Sequence, residues 1–354
     1  MILDRYIAVA ILMGTLMSLF VFGAIFVFIS FVSELQAVGT NNYGALQAII
    51  FVLLTLPQML YQLFPSAILL GGLLSLGALA SSSELVVMRA AGVSVMRIMR
   101  SALQAGVVLV VLVALMGEYL APISVSAAKT LRAEAIEGRV LSGDRQGLWS
   151  KYGENFVFVG QVLPNVQLAN VIVYELDDQR RLAKVTHADQ AHYENDAWHL
   201  QDVSNTEFKQ ESAKATSSEL EIWPAMISTD LFNVLNLEPI DLSAVELVQY
   251  SRYLDENDLD SDEFWLAFWV KVFTPLTAIG MLLIAIPLVL TSQNRGGSSG
   301  QRIVLGVVIG VSFYIANRII NHMGVLYGIP PVLSAGIPSV LVISIALVLI
   351  RRVR

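Results

Sequence analysis

Six long apolar stretches decide what this chain can become: residues 7–32, 65–82, 101–120, 264–290, 303–320 and 333–350. Each is close to the roughly 20 residues that a helix needs to cross a ~30 Å hydrocarbon layer. Inside lipid a backbone must satisfy its own polar groups, so such stretches are expected to be helices. The composition agrees: 14% of the residues are charged, against about 25% in soluble domains. A shorter apolar stretch, residues 45–56, ends at Pro57 and reads as an interfacial helix leading into the second span. The first stretch is longer than a signal-peptide core, and no small-residue cleavage pattern follows before Glu34, so it reads as a retained span.

Basic residues near span ends set orientation. Arg5, Arg89, Arg97, Arg100, Arg295, Arg302, Arg351, Arg352 and Arg354 all fall on one side of a six-pass arrangement. The opposite connections, residues 33–44 and 321–328, contain neither Lys nor Arg. The expectation is a multi-pass inner-membrane protein with both termini cytoplasmic.

Residues 121–263 have a different texture and fall on the outer, periplasmic side. Alternating stretches at 155–161, 170–176, 181–188 and 197–203 suggest half-buried strands. Turn-like groups at 151–154, 177–180 and 194–196 separate them, at a spacing that suits a β-sandwich or jelly roll. The fold class expected is therefore an α-helical polytopic membrane protein with six transmembrane helices and an inserted periplasmic β-jelly-roll domain. Residues 1–122 hold the first three spans and a cytoplasmic helix at about 83–92. Residues 123–262 form the β domain, and residues 263–354 hold the last three spans. The stretch 123–263 has 11 basic and 25 acidic residues, a charge of −14. An acidic domain is a poor holder of phosphates, so a lipid there would be met through its acyl chains.

Several chemistries are excluded. There are no cysteines, hence no thiolate metal site, thiol nucleophile or disulfide. The net charge of −7 and the lack of a basic stripe argue against nucleic acid. No phosphate-binding Gly-x-x-x-x-Gly-Lys-Ser/Thr loop occurs. Gly296-Gly297-Ser298-Ser299-Gly300 lacks the lysine and reads as a flexible connection. If ATP with Mg²⁺ is used, a partner binds it; no cofactor is expected on this chain.

The cytoplasmic segment 81–100 is the most informative. Ser81-Ser82-Ser83 can cap a helix, with Glu84 in its first turn. Leu85, Val86, Val87 and Met88 form an apolar surface beside that carboxylate, Arg89 follows, and Gly92 ends the helix. Two readings stand: a helix packed under the bundle, or a coupling knob that docks on another protein.

Charges inside spans are costly and face a cavity or a partner. Glu118, Lys271 and Arg318 all lie towards the outer leaflet. Glu118 and Lys271 read as a structural pair or as part of a basic headgroup cavity, and Arg318 as a snorkelling side chain or a headgroup contact. His187 and His192 fall on opposite strand faces without metal-ligand spacing, so together with His199 they read as solvated side chains, and no metal is expected. The acidic run 255–263 reads as a solvated lead-in to the fourth span. Gly306-x-x-x-Gly310 suits a span at a subunit seam. No catalytic constellation lies within the spans, so no enzymatic site is expected.

The segments Leu3-Asp4-Arg5-Tyr6-Ile7, Ser83-Glu84-Leu85-Val86-Val87-Met88, Gly117-Glu118-Tyr119-Leu120-Ala121-Pro122, Gln146-Gly147-Leu148-Trp149-Ser150, Asn155-Phe156-Val157 and Tyr327-Gly328-Ile329-Pro330-Pro331 carry a resemblance. In order and spacing the chain resembles the LptF/LptG permease family of the lipopolysaccharide-export ABC transporter, and looks more like its G-type subunit. The resemblance implies an F-type sister permease, a cytoplasmic ATPase dimer, a single-span periplasmic LptC-type protein, and lipopolysaccharide as cargo. It implies that Glu84 meets a basic residue of the ATPase while its apolar neighbours fill a groove. It also implies headgroup contacts. Where the G-type pattern has lysines near the first span's outer end, this chain has Ser30, Gln36 and Ala37, whereas a second basic pair is kept as Lys129 and Arg132. Arg318 and Lys271 complete the headgroup candidates. The competing function is a non-transporting scaffold whose β domain binds partner proteins.

Overall fold

Helices apolar on every side dominate the chain, as expected of segments that meet lipid or a shared core all round. A computed structural model describes residues 2–137, 148–152, 155–163, 167–177, 181–194, 197–209, 212–224, 238–257, 259–293 and 299–353. Six helices are long and apolar enough to cross a membrane. The glycine-rich segment at 296–300 lies mostly outside the described residues, as do Arg295 and most of the turn-like groups.

α1 (Ile2–Glu34) leads into α2 (Ala45–Ser81), a continuous helix of 37 residues. This corrects the expectation of a separate interfacial helix over 45–56, because Pro57 and Pro65 both lie inside α2. Each proline forfeits one helical hydrogen bond, but breaking the helix in an apolar setting would strand several more groups. Ala48 and Val52 are buried, so one face of the first turns of α2 packs into the bundle. α2 is the hub: it packs on α1 and on several helices that come later in the chain. Where α1 and α2 cross, a Cβ on Gly71 would stand 2.4 Å from Thr15 Cα, and one on Gly14 would stand 2.5 Å from the Gly71 carbonyl oxygen.

α3 (Glu84–Ala90) is a short helix, and α4 (Val95–Leu115) begins after Gly92, whose φ of +85° makes the break. Ser83 precedes α3 in the left-handed region, at φ 63°, with no side-chain cap bond, so the serine cap expected there does not form. α4 continues through a π-helical turn, Met116–Leu120, into α5 (Ala121–Glu137). The helix thus extends well past the expected end of the span at 120. Its alanine-rich sequence favours it, and α5 packs against α2.

The strands are β1 (Leu148–Tyr152), β2 (Asn155–Leu163), β3 (Gln167–Leu176), β4 (Leu182–Glu194), β5 (Ala197–Lys209) and β6 (Ser212–Pro224). They form one antiparallel sheet in sequence order, β1-β2-β3-β4-β5-β6, with no crossover among the described strands. The inserted β domain is therefore present, as an up-and-down meander. Its core face carries Val157, Val159, Leu168, Val171, Val173, Ala188, Ala191, Leu200 and Val203, all buried. Period-two alternation sends Phe156 and Phe158 to the other face, where Trp149 lies 5.1 Å from the Phe158 ring and stacks on Tyr174.

A 3₁₀ turn, Pro239–Asp241, and α6 (Ala244–Glu256), opened by a Ser243–Glu246 capping box, bring the chain back. α7 (Asp262–Gln293), α8 (Ser299–Leu326) and α9 (Pro331–Val353) complete the bundle. The close contact of Gly306-x-x-x-Gly310 is made within the chain. A Cβ on Gly306 would stand 2.6 Å from Leu73, one on Gly310 would stand 3.2 Å from Ser66, and Ser66 Oγ donates to the Gly310 carbonyl at 2.9 Å. Small residues let α8 approach α2 of the same chain, and the motif is spent there.

Candidate functional site

Two ends of the bundle concentrate charged side chains, and the sheet supplies a third surface. At the first end, α3 turns Leu85 into the core at 1% exposure while Val86 and Val87 stand 50% and 66% exposed. Of the expected apolar knob, Leu85 is therefore an anchor rather than a docking residue. Met88 packs partly buried against the core, and Arg89 is exposed at the last turn. The Glu84 carboxylate accepts hydrogen bonds from Tyr6 and Ser82, both at 2.8 Å. Beside it Asp4 accepts from the Arg97 guanidinium at 3.2 and 3.1 Å and from Ser101 Oγ at 2.9 Å. An open groove of about 760 Å³ runs along this join, lined by Asp4, Arg5, Arg97, Arg100, Ser101 and Gln104. An exposed apolar step with one acid at its head can seat in a groove of opposite pattern on another protein.

At the other end the structure brings Glu118 and Lys271 together. Lys271 Nζ lies 3.8 Å from Glu118 and donates to the Gly117 carbonyl at 3.0 Å, with its side chain 9% exposed. The π turn makes this possible, since its carbonyls are offset from the usual ladder. Gly117 is required by a close approach: a Cβ would stand 2.3 Å from the Tyr61 ring. Glu118 also accepts the Ala244 backbone N–H at 2.9 Å, and so caps the start of α6 from outside. Lys129 pairs with Asp241 at 2.9 Å, and Gln58 donates to the Ile240 carbonyl at 2.5 Å. Three side chains from different helices thus bolt the returning segment 240–244 to the bundle.

Arg132 pairs with Glu34 at 3.2 Å, its guanidinium 6.0 Å from the Tyr43 ring and 5.8 Å from that of Phe51. The Tyr43 hydroxyl donates to Glu34 at 2.9 Å. Burial, and then the hydrogen bond to Glu34, push this phenol up to about 12. Arg318 stands apart: it is exposed on α8, donates to the Tyr314 hydroxyl at 3.4 Å, and has no carboxylate within ion-pair distance among the described residues. The four basic headgroup candidates therefore do not converge. Lys271, Lys129 and Arg132 each face a carboxylate of this chain.

Comparison with known proteins bears on all of these regions together. The model of the family "Lipopolysaccharide export system permease LptF/LptG" matches residues 5–352. The chain belongs to this family. It is 37% identical over 357 residues to the lipopolysaccharide export system permease protein LptG of Haemophilus influenzae, covering 99% of each chain. It is 35% identical over 356 residues to the protein of that name from Escherichia coli, covering 99% of this chain and 98% of that one. The likeness thus spans α3, both charged ends and the sheet.

Within the family frame, the sheet's core face is the remaining surface. Val157, Leu168, Val171, Val173, Leu200 and Trp223 line an apolar recess on it. On the sheet, His192 and His199 are register partners whose rings stack 5.1 Å apart, and His187 contacts Asn170. Sequence reasoning passed over Tyr6, Asp4, Glu34, Asp241 and Gln58. Asp4 and Tyr6 were visible only as part of the opening motif. The signal available for them was two polar residues at the head of an otherwise apolar helix. Glu34, Asp241 and Gln58 had none, because their partners lie 98, 112 and 182 residues away.

Proposed function

We propose that this chain is the G-type permease subunit of an exporter that takes lipopolysaccharide from the outer leaflet of the inner membrane and passes it to a periplasmic bridge towards the outer membrane. The observation that carries the reading is the full-length likeness to two lipopolysaccharide export permeases. In this reading the α3 end and both termini are cytoplasmic, and the sheet is periplasmic. A separate ATPase dimer consumes ATP with Mg²⁺ and seats on Val86, Val87 and Arg89, with Glu84 pairing to a basic residue. An F-type sister permease and a single-span LptC-type protein flank the exposed faces of α1 and α8.

Energetics support the division of labour. Each CH₂ moved into water costs ~0.8 kcal/mol, so exposing a multi-chain lipid fully would cost on the order of tens of kcal/mol. The acyl chains are therefore handed from bilayer to cavity to the apolar face of the sheet, without a fully wet stage. Among the headgroup candidates Arg318 takes the phosphate, while Lys129, Arg132 and Lys271 hold this chain's own carboxylates.

The test is ATP-driven release of lipopolysaccharide from vesicles holding the whole complex. Glu84→Lys is expected to abolish release while the chain still inserts and the ATPase still binds nucleotide. Normal release by this variant would overturn the coupling, and a complex that binds lipid but never releases it with ATP would favour a scaffold.

A further inference from the structure

α3 is held by little of its own. It has one buried residue, Leu85, and its leading Ser83 provides no side-chain cap. What fixes its charged head is the Tyr6 hydroxyl, reaching across 78 residues of sequence from the first turns of α1. The second bond, from Ser82, is local and travels with Glu84. Among the described residues Tyr6 is the side chain that joins Glu84 to another span. A hydrogen bond to an ionised acceptor is roughly twice as strong as a neutral one, so this is the stiffest polar link α3 has to α1.

Two residues earlier Asp4 grips α4 through Arg97 and Ser101. The same stretch of α1 therefore holds the helix before the Gly92 break and the helix after it. The Asp4 clamp makes that grip rigid, because it is two-pronged on the guanidinium and has a third donor.

We propose that the N-terminal turns of α1 are the receiver for motion of α3, with Tyr6 as a positioning residue that acts through Glu84 and Asp4 as its brace on α4. Displacement of α3 is then passed to α1 at its cytoplasmic end. α1 has an open flank, with Met13, Leu16, Met17 and Phe20 exposed, so it is free to move against whatever lies beside it. This inference rests on the coupling role given above to Glu84.

The chain has no cysteine, so Ile2→Cys with Ala91→Cys, both at exposed positions, is labelled on the isolated chain as its one spin-label pair before the full complex is assembled. The expected result is one narrow distance distribution that is the same without nucleotide and with ATP bound. Tyr6→Phe, which removes only the hydroxyl, is expected to broaden it, to make it nucleotide-dependent, and to lower lipid released per ATP hydrolysed several-fold. Added to Glu84→Ala, which removes the acceptor, Tyr6→Phe should bring no further loss. Wild-type release by Tyr6→Phe, an unbroadened distribution, or a loss that adds fully to that of Glu84→Ala would each overturn the receiver role. If Glu84→Lys uncouples and Tyr6→Phe does not, this inference alone fails; if neither does, the coupling reading fails with it.

Discussion

Glu118 and Lys271 show how much one residue's meaning depends on a partner that sequence does not reveal. Both were legible as costly in-span charges, and Coulomb attraction made a pair a natural expectation. The third member, the Ala244 N–H, was not legible, because a backbone donor carries no residue type. Removing one partner of an enclosed pair leaves the other unsatisfied. Lys271→Met should therefore cost about 1–3 kcal/mol, read as a lower thermal midpoint in detergent. Lys271→Met with Glu118→Gln should recover part of that loss. Equal or greater loss in the double variant would contradict this account of the pair. Tyr6 and Asp4 were legible only as letters of a motif; their partners Glu84 and Arg97 are neighbours through tertiary packing, which no local pattern encodes.

At the scale of elements, hydropathy located all six spans because lipid-facing helices must be apolar over a fixed length. It misjudged α2, where the proline rule, sound for exposed helices, met a bundle in which the helix continues past two prolines. Alternation located the middle strands but not their inward face, since Phe and Val are both apolar. Burial resolves it in favour of Val157 and Val159. Gly306-x-x-x-Gly310 was rightly a close-contact motif, but its partner was an earlier span of the same chain. The tighter crossing, Gly14 on Gly71, attracted no notice because it joins single glycines on two helices. Overpacking a rigid join costs about 1–3 kcal/mol, and at Gly71 the obstacle is the α1 backbone itself. Gly71→Ala should lower the thermal midpoint markedly and Gly23→Ala should not, because its nearest neighbours are leucine methyls at 3.4 Å. Equal tolerance of both would show that α1 and α2 do not cross at this depth.

For the whole molecule, a bundle with an acid-headed apolar step at one end leads into an acidic domain whose sheet has one buried apolar face. The chain returns through a segment bolted down by Gln58, Lys129 and Glu118. The order of these parts was legible from charge and hydropathy, whereas the bolting was not. In the proposed function, ATP hydrolysis by a partner seated at α3 drives a lipid onto the core face of the sheet. Val171 and Ile172 are adjacent residues on opposite faces, the first buried and the second half-buried. A photo-reactive side chain placed at either position, in the complete complex in lipopolysaccharide-bearing vesicles, tests the claim directly. Lipid adducts are expected at Val171 with ATP and not without it, with few at Ile172. Adducts at Ile172 equal to those at Val171, or adducts at Val171 that ignore ATP, would contradict the claim.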